Sequence, residues 1–265
     1  MPRKPALVGV FAFALLSLGV VYGPSLGQTV PSASAVPTTP IGTRPTASGA
    51  TPGPTATTSG GRAAYCAQAD ALTPYHAYAD YGRTFLDWTY ALPSDYAPPD
   101  LVAIAQAGFT RASRAEVVRG IVVDDLRQLR SAAITTGAPL EIISGYRSYA
   151  EQDATFAYWV KVGGLDQAMR TSARAGHSEH QLGTAIDFAS SIATPPWEVA
   201  DWGATPTGRW LAANAWRYGF VLSYPAGKEN VTCYSYEPWH YRWIGRDAAA
   251  ALRESGLTLR EFLAR

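Results

Sequence analysis

Cysteine, histidine and charged residues are all scarce in this 265-residue chain. It contains two cysteines and four histidines, and 16% of its residues are charged. The two cysteines lack metal-ligand spacing with one another, which argues against a cysteine zinc site. Basic and acidic residues nearly balance, with a net charge of +1. Because nucleic-acid binding needs a basic face, this balance argues against a nucleic-acid partner and against docking by charge on an anionic membrane.

The N-terminus has the pattern of an export signal. Arg3 and Lys4 precede an apolar run over residues 6–22, and an A-x-A-like cleavage site lies at residues 33–35. We therefore interpret residues 1–35 as a signal peptide. The alternative is an uncleaved membrane anchor, since the run is nearly long enough to span a bilayer. Either reading predicts an extracytoplasmic protein, secreted or anchored at the outer face of a bacterial cell membrane.

A tether and a single domain are predicted to follow. Residues 36–62 are mostly Thr, Pro, Ser, Gly and Ala, a composition that cannot bury enough apolar surface to fold. Residues 63–265 suffice for one domain with a sizeable core. All acidic residues lie in this domain, which carries a net charge of about −3. Nothing in the sequence indicates an oligomer.

The domain is predicted to be α+β, with a small, mainly antiparallel sheet and flanking helices. The clearest predicted helix spans residues 116–136, where Val117, Ile121, Leu126, Leu129 and Ile134 recur at helical spacing. Further helices are predicted at residues 101–107, 149–162, 165–173, 208–218, 247–254 and 258–264. Strands are predicted at residues 140–143, 184–188, 220–223 and 238–243.

Cys66 and Cys233 are the chain's two cysteines. In an oxidising compartment this pair would form one disulfide, which would join the start of the domain to the segment before residues 237–240. The alternative is two unrelated buried thiols.

Two short segments carry the residue types of a catalytic metal site. Residues 178–187 read S-E-H-Q-L-G-T-A-I-D, and residues 237–240 read E-P-W-H. His180, Asp187 and His240 would be three ligands, and an open fourth position is what a catalytic zinc needs. Glu237 could then accept a proton as general base. On spacing alone, two ordinary hydrogen-bonded histidines and a loop carboxylate remain an alternative.

The pattern S-x-H-x-x-G-x-A-x-D followed by E-P-W-H, with S-G-Y-R-S upstream, resembles the zinc D-alanyl-D-alanine carboxypeptidases of the VanY type. These are grouped with lysostaphin-like peptidases and the hedgehog domain in one superfamily. The resemblance covers most of residues 92–245. It implies the hedgehog/D-Ala-D-Ala peptidase-like fold, one zinc ion per domain, and a peptidoglycan stem peptide ending in D-Ala-D-Ala as substrate.

The resemblance also implies residue roles. His180, Asp187 and His240 correspond to the zinc ligands and Glu237 to the general base. Arg147 corresponds to an arginine that faces the substrate and steadies negative charge on it, although it could instead pair with neighbouring carboxylates. Two further residues correspond to substrate-binding positions: Ser178, which could instead be a turn cap, and Gln152, which could instead be a solvated helix residue.

The implied activity is removal of the terminal D-Ala from stem peptides. Alternatives on the same zinc site are an L,D-carboxypeptidase and an endopeptidase that cuts within the stem. A non-catalytic wall-binding domain is a further alternative, because a fold does not determine a function. His177 departs from the resemblance, and we expect it to be a local hydrogen-bonding residue.

Overall fold

The computed structural model of the chain describes residues 66–109 and 116–265. The predicted signal or anchor at residues 1–35 and the predicted tether at residues 36–62 lie outside the described residues. Among the residues described, no helix has the length and apolar character needed to cross a membrane.

Eight strands and seven α-helices make up the described part of the chain. The strands are β1 Ala71–Leu72, β2 Tyr90–Ala91, β3 Leu101–Ala103, β4 Val117–Arg119, β5 Glu141–Ser144, β6 Ala185–Ala189, β7 Phe220–Leu222 and β8 His240–Trp243. The helices are α1 Val123–Thr135, α2 Tyr149–Gly163, α3 Leu165–Thr171, α4 Pro206–Asn214, α5 Glu229–Thr232, α6 Arg246–Ser255 and α7 Leu259–Leu263.

A four-stranded antiparallel sheet in the order β5-β6-β8-β7 forms the centre of the fold. Two small pairs accompany it, antiparallel β3-β4 and parallel β1-β2. The helices flank this sheet, so the prediction of an α+β fold with a small, mainly antiparallel sheet is confirmed.

Helix α1 packs on one face of the sheet and forms the main core with it. Leu126 and Leu129 are buried in the same cluster as Ile186 and Phe188 of β6 and Tyr241 of β8. Because side chains alternate along a strand, the residues between these core positions point to the opposite face. On β6 that residue is Asp187, and on β8 the corresponding residues are His240 and Arg242.

The predicted helix over residues 116–136 is correct only from Val123 onwards. Its first residues form β4, which pairs with β3, and the helix predicted over residues 101–107 is β3 followed by a 3-10 turn. Strand pairing across the chain outweighs local periodicity here. Two apolar positions of the predicted helical stripe, Ile121 and Ile134, are exposed rather than buried.

Helix α2 begins as the sequence indicates. The Ser148 hydroxyl accepts a hydrogen bond from the Glu151 amide, and the Glu151 carboxylate accepts one from the Ser148 amide at 2.9 Å. This capping box fixes the start of α2 directly after residue 147. It therefore places Arg147 at the edge of the cleft that contains the predicted ligands.

Candidate metal centre

The pairing of β6 with β8 brings two predicted ligands together. Asp187 and His240 are opposite one another in the register of the two antiparallel strands. The Nδ1 atom of His240 lies 2.9 Å from Oδ1 of Asp187, although 53 residues separate them in sequence. Both side chains are buried on the face of the sheet opposite the α1 core.

The third predicted ligand, His180, lies on the 3-10 turn Glu179–Leu182 just before β6. The Ser178 hydroxyl accepts a hydrogen bond from the His180 amide at 3.3 Å and so caps the turn. Gly183 ends the turn with φ +70, and a Cβ there would lie 2.9 Å from Cγ of Arg119. A left-handed backbone with so little room favours glycine.

The hydrogen bonds of His180 fix which nitrogen faces the cluster. Its Nδ1 donates to the Gly145 carbonyl at 2.7 Å, and a carbonyl oxygen can only accept. Its Nε2 lies 3.2 Å from Oδ2 of Asp187. Burial lowers the pKa of His180, which favours the neutral imidazole that a metal requires.

The three side chains fit a zinc ion by their donor chemistry. One ligand atom each from His180, Asp187 and His240 lie within 4.8 Å of one another, and all three residues are buried. Two imidazoles and one carboxylate are a ligand set that catalytic zinc uses. Burial alone would raise the pKa of Asp187, but the two histidines beside it hold the pKa well below its usual range. The carboxylate is therefore charged and available as a ligand.

Glu179 contacts His240 on the side of the ring away from Asp187. The sequence did not predict this contact. Oε2 of Glu179 lies 3.1 Å from Nε2 of His240 and accepts from the Ser223 hydroxyl at 2.6 Å, while its Oε1 accepts from Arg242 at 2.9 Å. Burial opposes ionisation of Glu179, but Arg242 and His240 outweigh it and lower the pKa to about 2. The only sequence signal is an arginine two residues after His240 on a buried strand, which requires a partner.

Glu237, the predicted base, lies three residues before the first residue of β8. Its backbone carbonyl accepts from the His240 amide at 3.0 Å, and the residue lines the same cleft as the three predicted ligands. Burial raises the pKa of the Glu237 carboxyl to about 8 in the metal-free chain. A carboxyl with a pKa near neutrality is suited to both accepting and returning a proton.

Arg147 and Gln152 form one hydrogen-bonded unit at the cleft wall. Arg147 donates to Oε1 of Gln152 at 2.8 Å and to the Ser144 hydroxyl at 2.9 Å. Its guanidinium lies 3.9 Å from Oδ2 of Asp187. Gln152 is 1% exposed and also donates to the Ala173 carbonyl at 2.6 Å. Gln152 is therefore not a solvated helix residue; its contacts hold the Arg147 guanidinium in place.

A cleft of about 640 Å³ contains these groups. Seven predicted site residues line it, namely Arg147, Gln152, Ser178, His180, Asp187, Glu237 and His240. Trp159, Trp197 and Trp239 form an aromatic wall in which the neighbouring rings meet edge to face. The sequence and the resemblance thus singled out the residues on the polar side of the cleft.

Cys66 and Cys233 are joined by a disulfide in the structure, with Cα atoms 5.3 Å apart.

His177 does not line the cleft. Its ring is 2% exposed, Nδ1 donates to the Asp87 carbonyl at 2.6 Å, and Nε2 lies 3.0 Å from Oδ1 of Asp70. His177 therefore anchors the N-terminal part of the domain next to the motif.

Known proteins match this chain along most of the described domain. A family model described as VanY, D-alanyl-D-alanine carboxypeptidase, matches residues 115–246. Putative carboxypeptidase YodJ of Bacillus subtilis (strain 168) is 38% identical over 65% of this chain and 63% of its own length. Across the curated relatives that it matches, the chain spans 35% to 65% of their length.

Solved structures of VanY-type and LD-carboxypeptidases also match the chain. The LdcB LD-carboxypeptidase matches with a TM-score of 0.60 and 37% identity, over 68% of this chain and 84% of that one. A VanYB structure in complex with D-alanine-D-alanine matches with a TM-score of 0.56 and 30% identity, over 69% and 98%. A VanY mutant structure in complex with Zn(II) matches with a TM-score of 0.57 and 29% identity, over 69% and 99%.

Proposed function

The chain belongs to the VanY family of D-alanyl-D-alanine carboxypeptidases, and from this we propose that it is a zinc-dependent carboxypeptidase that hydrolyses the terminal D-Ala of peptidoglycan stem peptides. The observation that carries the proposal is the cluster of His180, Asp187 and His240 in one cleft with Glu237. A non-catalytic wall-binding domain would have no need to keep a half-buried carboxyl with a raised pKa in the same cleft as a set of metal ligands.

The zinc ion would be held by Nε2 of His180, Nδ1 of His240 and the Asp187 carboxylate. These atoms face one another, and the other nitrogen of each histidine is engaged, by the Gly145 carbonyl and by Glu179 respectively. When bound, zinc supplies Lewis-acid chemistry, in that it polarises a carbonyl and makes a water molecule more acidic.

The remaining roles belong to side chains of the chain. Glu237 takes a proton from the attacking water and returns it to the amine that leaves, so its carboxyl must exist in both protonation states. The Arg147 guanidinium steadies negative charge on the carbonyl oxygen of the scissile bond. Ser178 lies at the cleft beside the ligands, where its hydroxyl, in addition to capping the turn, would meet the terminal carboxylate of the peptide.

The substrate would be reached outside the cell membrane. The apolar run at residues 6–22 would export the chain, as a cleaved signal or as an anchor, and residues 36–62 would tether a peptidase domain at residues 63–265. The disulfide between Cys66 and Cys233 supports an oxidising compartment.

Product analysis tests the proposal. The purified protein is incubated with a stem pentapeptide ending in D-Ala-D-Ala, with and without a zinc chelator. The products are then identified by mass spectrometry. We expect loss of a single alanine, abolished by the chelator and restored by added zinc. An intact pentapeptide in the presence of zinc-loaded protein would overturn the proposed activity.

A second candidate is an L,D-carboxypeptidase on the same site, favoured by the similarity to LdcB. It would leave the pentapeptide intact and remove the single D-Ala of a stem tetrapeptide. The same assay with a tetrapeptide separates the two activities, and cleavage within the stem would identify an endopeptidase.

A further inference from the structure

We propose that Glu179 is a positioning residue for the metal centre, because it sets the orientation and the tautomer of the ligand His240. This inference rests on the proposed function in so far as zinc is the metal. It assigns a role to a residue that neither binds the metal nor lines the cleft among the described residues.

Glu179 lies behind the ligand rather than beside the metal. Its Oε2 is 3.1 Å from Nε2 of His240, whereas the opposite ring nitrogen, Nδ1, faces Asp187. A carboxylate can only accept a hydrogen bond, so it holds the proton on Nε2. When a metal takes the place of the proton on Nδ1, the lone pair of that nitrogen is directed at the cluster, and the remaining proton stays on Nε2 beside Glu179. A carboxylate behind a histidine ligand fixes the ring in this way and makes it a stronger donor.

The polar groups around Glu179 all donate hydrogen bonds, so this position requires a side chain that only accepts them. His240, Arg242 and the Ser223 hydroxyl all donate to it, and Arg242 is completely buried. The ring of Tyr224 stacks on that of His240, with centroids 5.0 Å apart and an interplanar angle of 29°. Tyr224 restricts the tilt of the imidazole, and Glu179 restricts its rotation about the Cβ–Cγ bond.

A glutamine cannot replace this carboxylate. An amide has one acceptor oxygen and one donor nitrogen. If its nitrogen faces His240, the proton moves to Nδ1 and blocks the metal-binding atom. If its nitrogen faces Arg242, two donors oppose one another in a buried site. In both orientations the negative charge that strengthens His240 as a ligand is lost.

The test compares zinc affinity of the wild-type protein and Glu179→Gln by competition with a chromophoric chelator. We expect Glu179→Gln to bind zinc about 10- to 100-fold more weakly. Ser223→Ala removes a neutral donor to the same carboxylate, and we expect a far smaller change. Leu252→Ala, in a separate cluster formed with α6 and α7, should lower the thermal midpoint without changing zinc affinity. This control separates positioning from general destabilisation.

A second measurement keeps the inference testable if Glu179→Gln does not fold. In the zinc-loaded wild type, ¹⁵N NMR should show the His240 proton on Nε2 and none on Nδ1. A folded Glu179→Gln protein with unchanged zinc affinity, or a proton on Nδ1 rather than Nε2 of His240 in the zinc-loaded wild type, would overturn the role of Glu179. Failure of the wild type to bind zinc would instead overturn the proposed function.

Discussion

The imidazole of His240 lies between two carboxylates, with Nδ1 2.9 Å from Asp187 and Nε2 3.1 Å from Glu179. Burial alone would lower the pKa of His240, but these two hydrogen bonds raise it to about 10. At neutral pH the metal-free chain therefore carries a proton on the very nitrogen that zinc would occupy. Metal and proton must compete for Nδ1.

Zinc binding should consequently tighten as the pH rises. The raised pKa means that the proton occupies His240 throughout roughly pH 6 to 8, so zinc affinity should increase about tenfold per pH unit there. Calorimetric titrations in buffers of different ionisation enthalpy should show about one proton released per zinc at neutral pH. An affinity that does not change with pH would contradict the competition at Nδ1.

Glu237→Gln should abolish turnover and leave the metal in place. The amide cannot accept the proton of the attacking water, so kcat should fall by about 10²- to 10⁴-fold. Zinc content and affinity should not fall, because Glu237 is not one of the three clustered ligands. Stem-peptide hydrolysis and metal analysis check both statements. Glu229→Gln, the same change at an exposed position of α5, is the control and should have wild-type activity. Near-normal hydrolysis by Glu237→Gln would require a different base.

Arg147→Lys should lower kcat more than it raises KM. A lysine cannot make the forked contacts to Gln152 and Ser144, so the positive charge would no longer be held at the cleft wall. We expect a fall in kcat of about 100-fold, the scale of losing one group that stabilises the oxyanion.

Gln152→Ala should lower kcat in the same way but by less, because Gln152 acts through Arg147. Arg170→Lys, at an exposed position of α3, is the matched control. A further loss when Gln152→Ala is added to Arg147→Lys would indicate that Gln152 contacts the substrate itself.

The three residues that the sequence predicted as ligands lie close together in the structure, and each occurs in a compact local pattern of the sequence. Asp187 and His240 were placed on strands, and the alternation of side chains on those strands puts both on the face away from the core. What the sequence could not show is their register, which depends on strand pairing across 53 residues. The resemblance to a family supplied only the expectation that the two residues share one metal.

The misassigned segments and the missed residue share one physical cause. Residues 101–103 and 117–119 form strands because they pair with each other, and no local period reveals a partner at that distance. Glu179 is adjacent to His180, yet its partners Ser223 and Arg242 lie 44 and 63 residues further along the chain. A charged residue in a motif is normally assumed to be solvated, and only tertiary contacts identify it as buried.

Breaking the disulfide should destabilise the domain substantially. Cys66 and Cys233 are 167 residues apart in sequence, so the bond restricts nearly the whole domain in its unfolded state. The change Cys66→Ser with Cys233→Ser should therefore reduce the free energy of unfolding by about 2–5 kcal/mol, as removal of a native disulfide from a secreted domain does. Denaturant titrations followed by tryptophan fluorescence measure this loss. Reductant should bring the wild type to the stability of the double variant and leave the double variant unchanged. If the two proteins unfold at the same denaturant concentration without reductant, the bond adds nothing to stability.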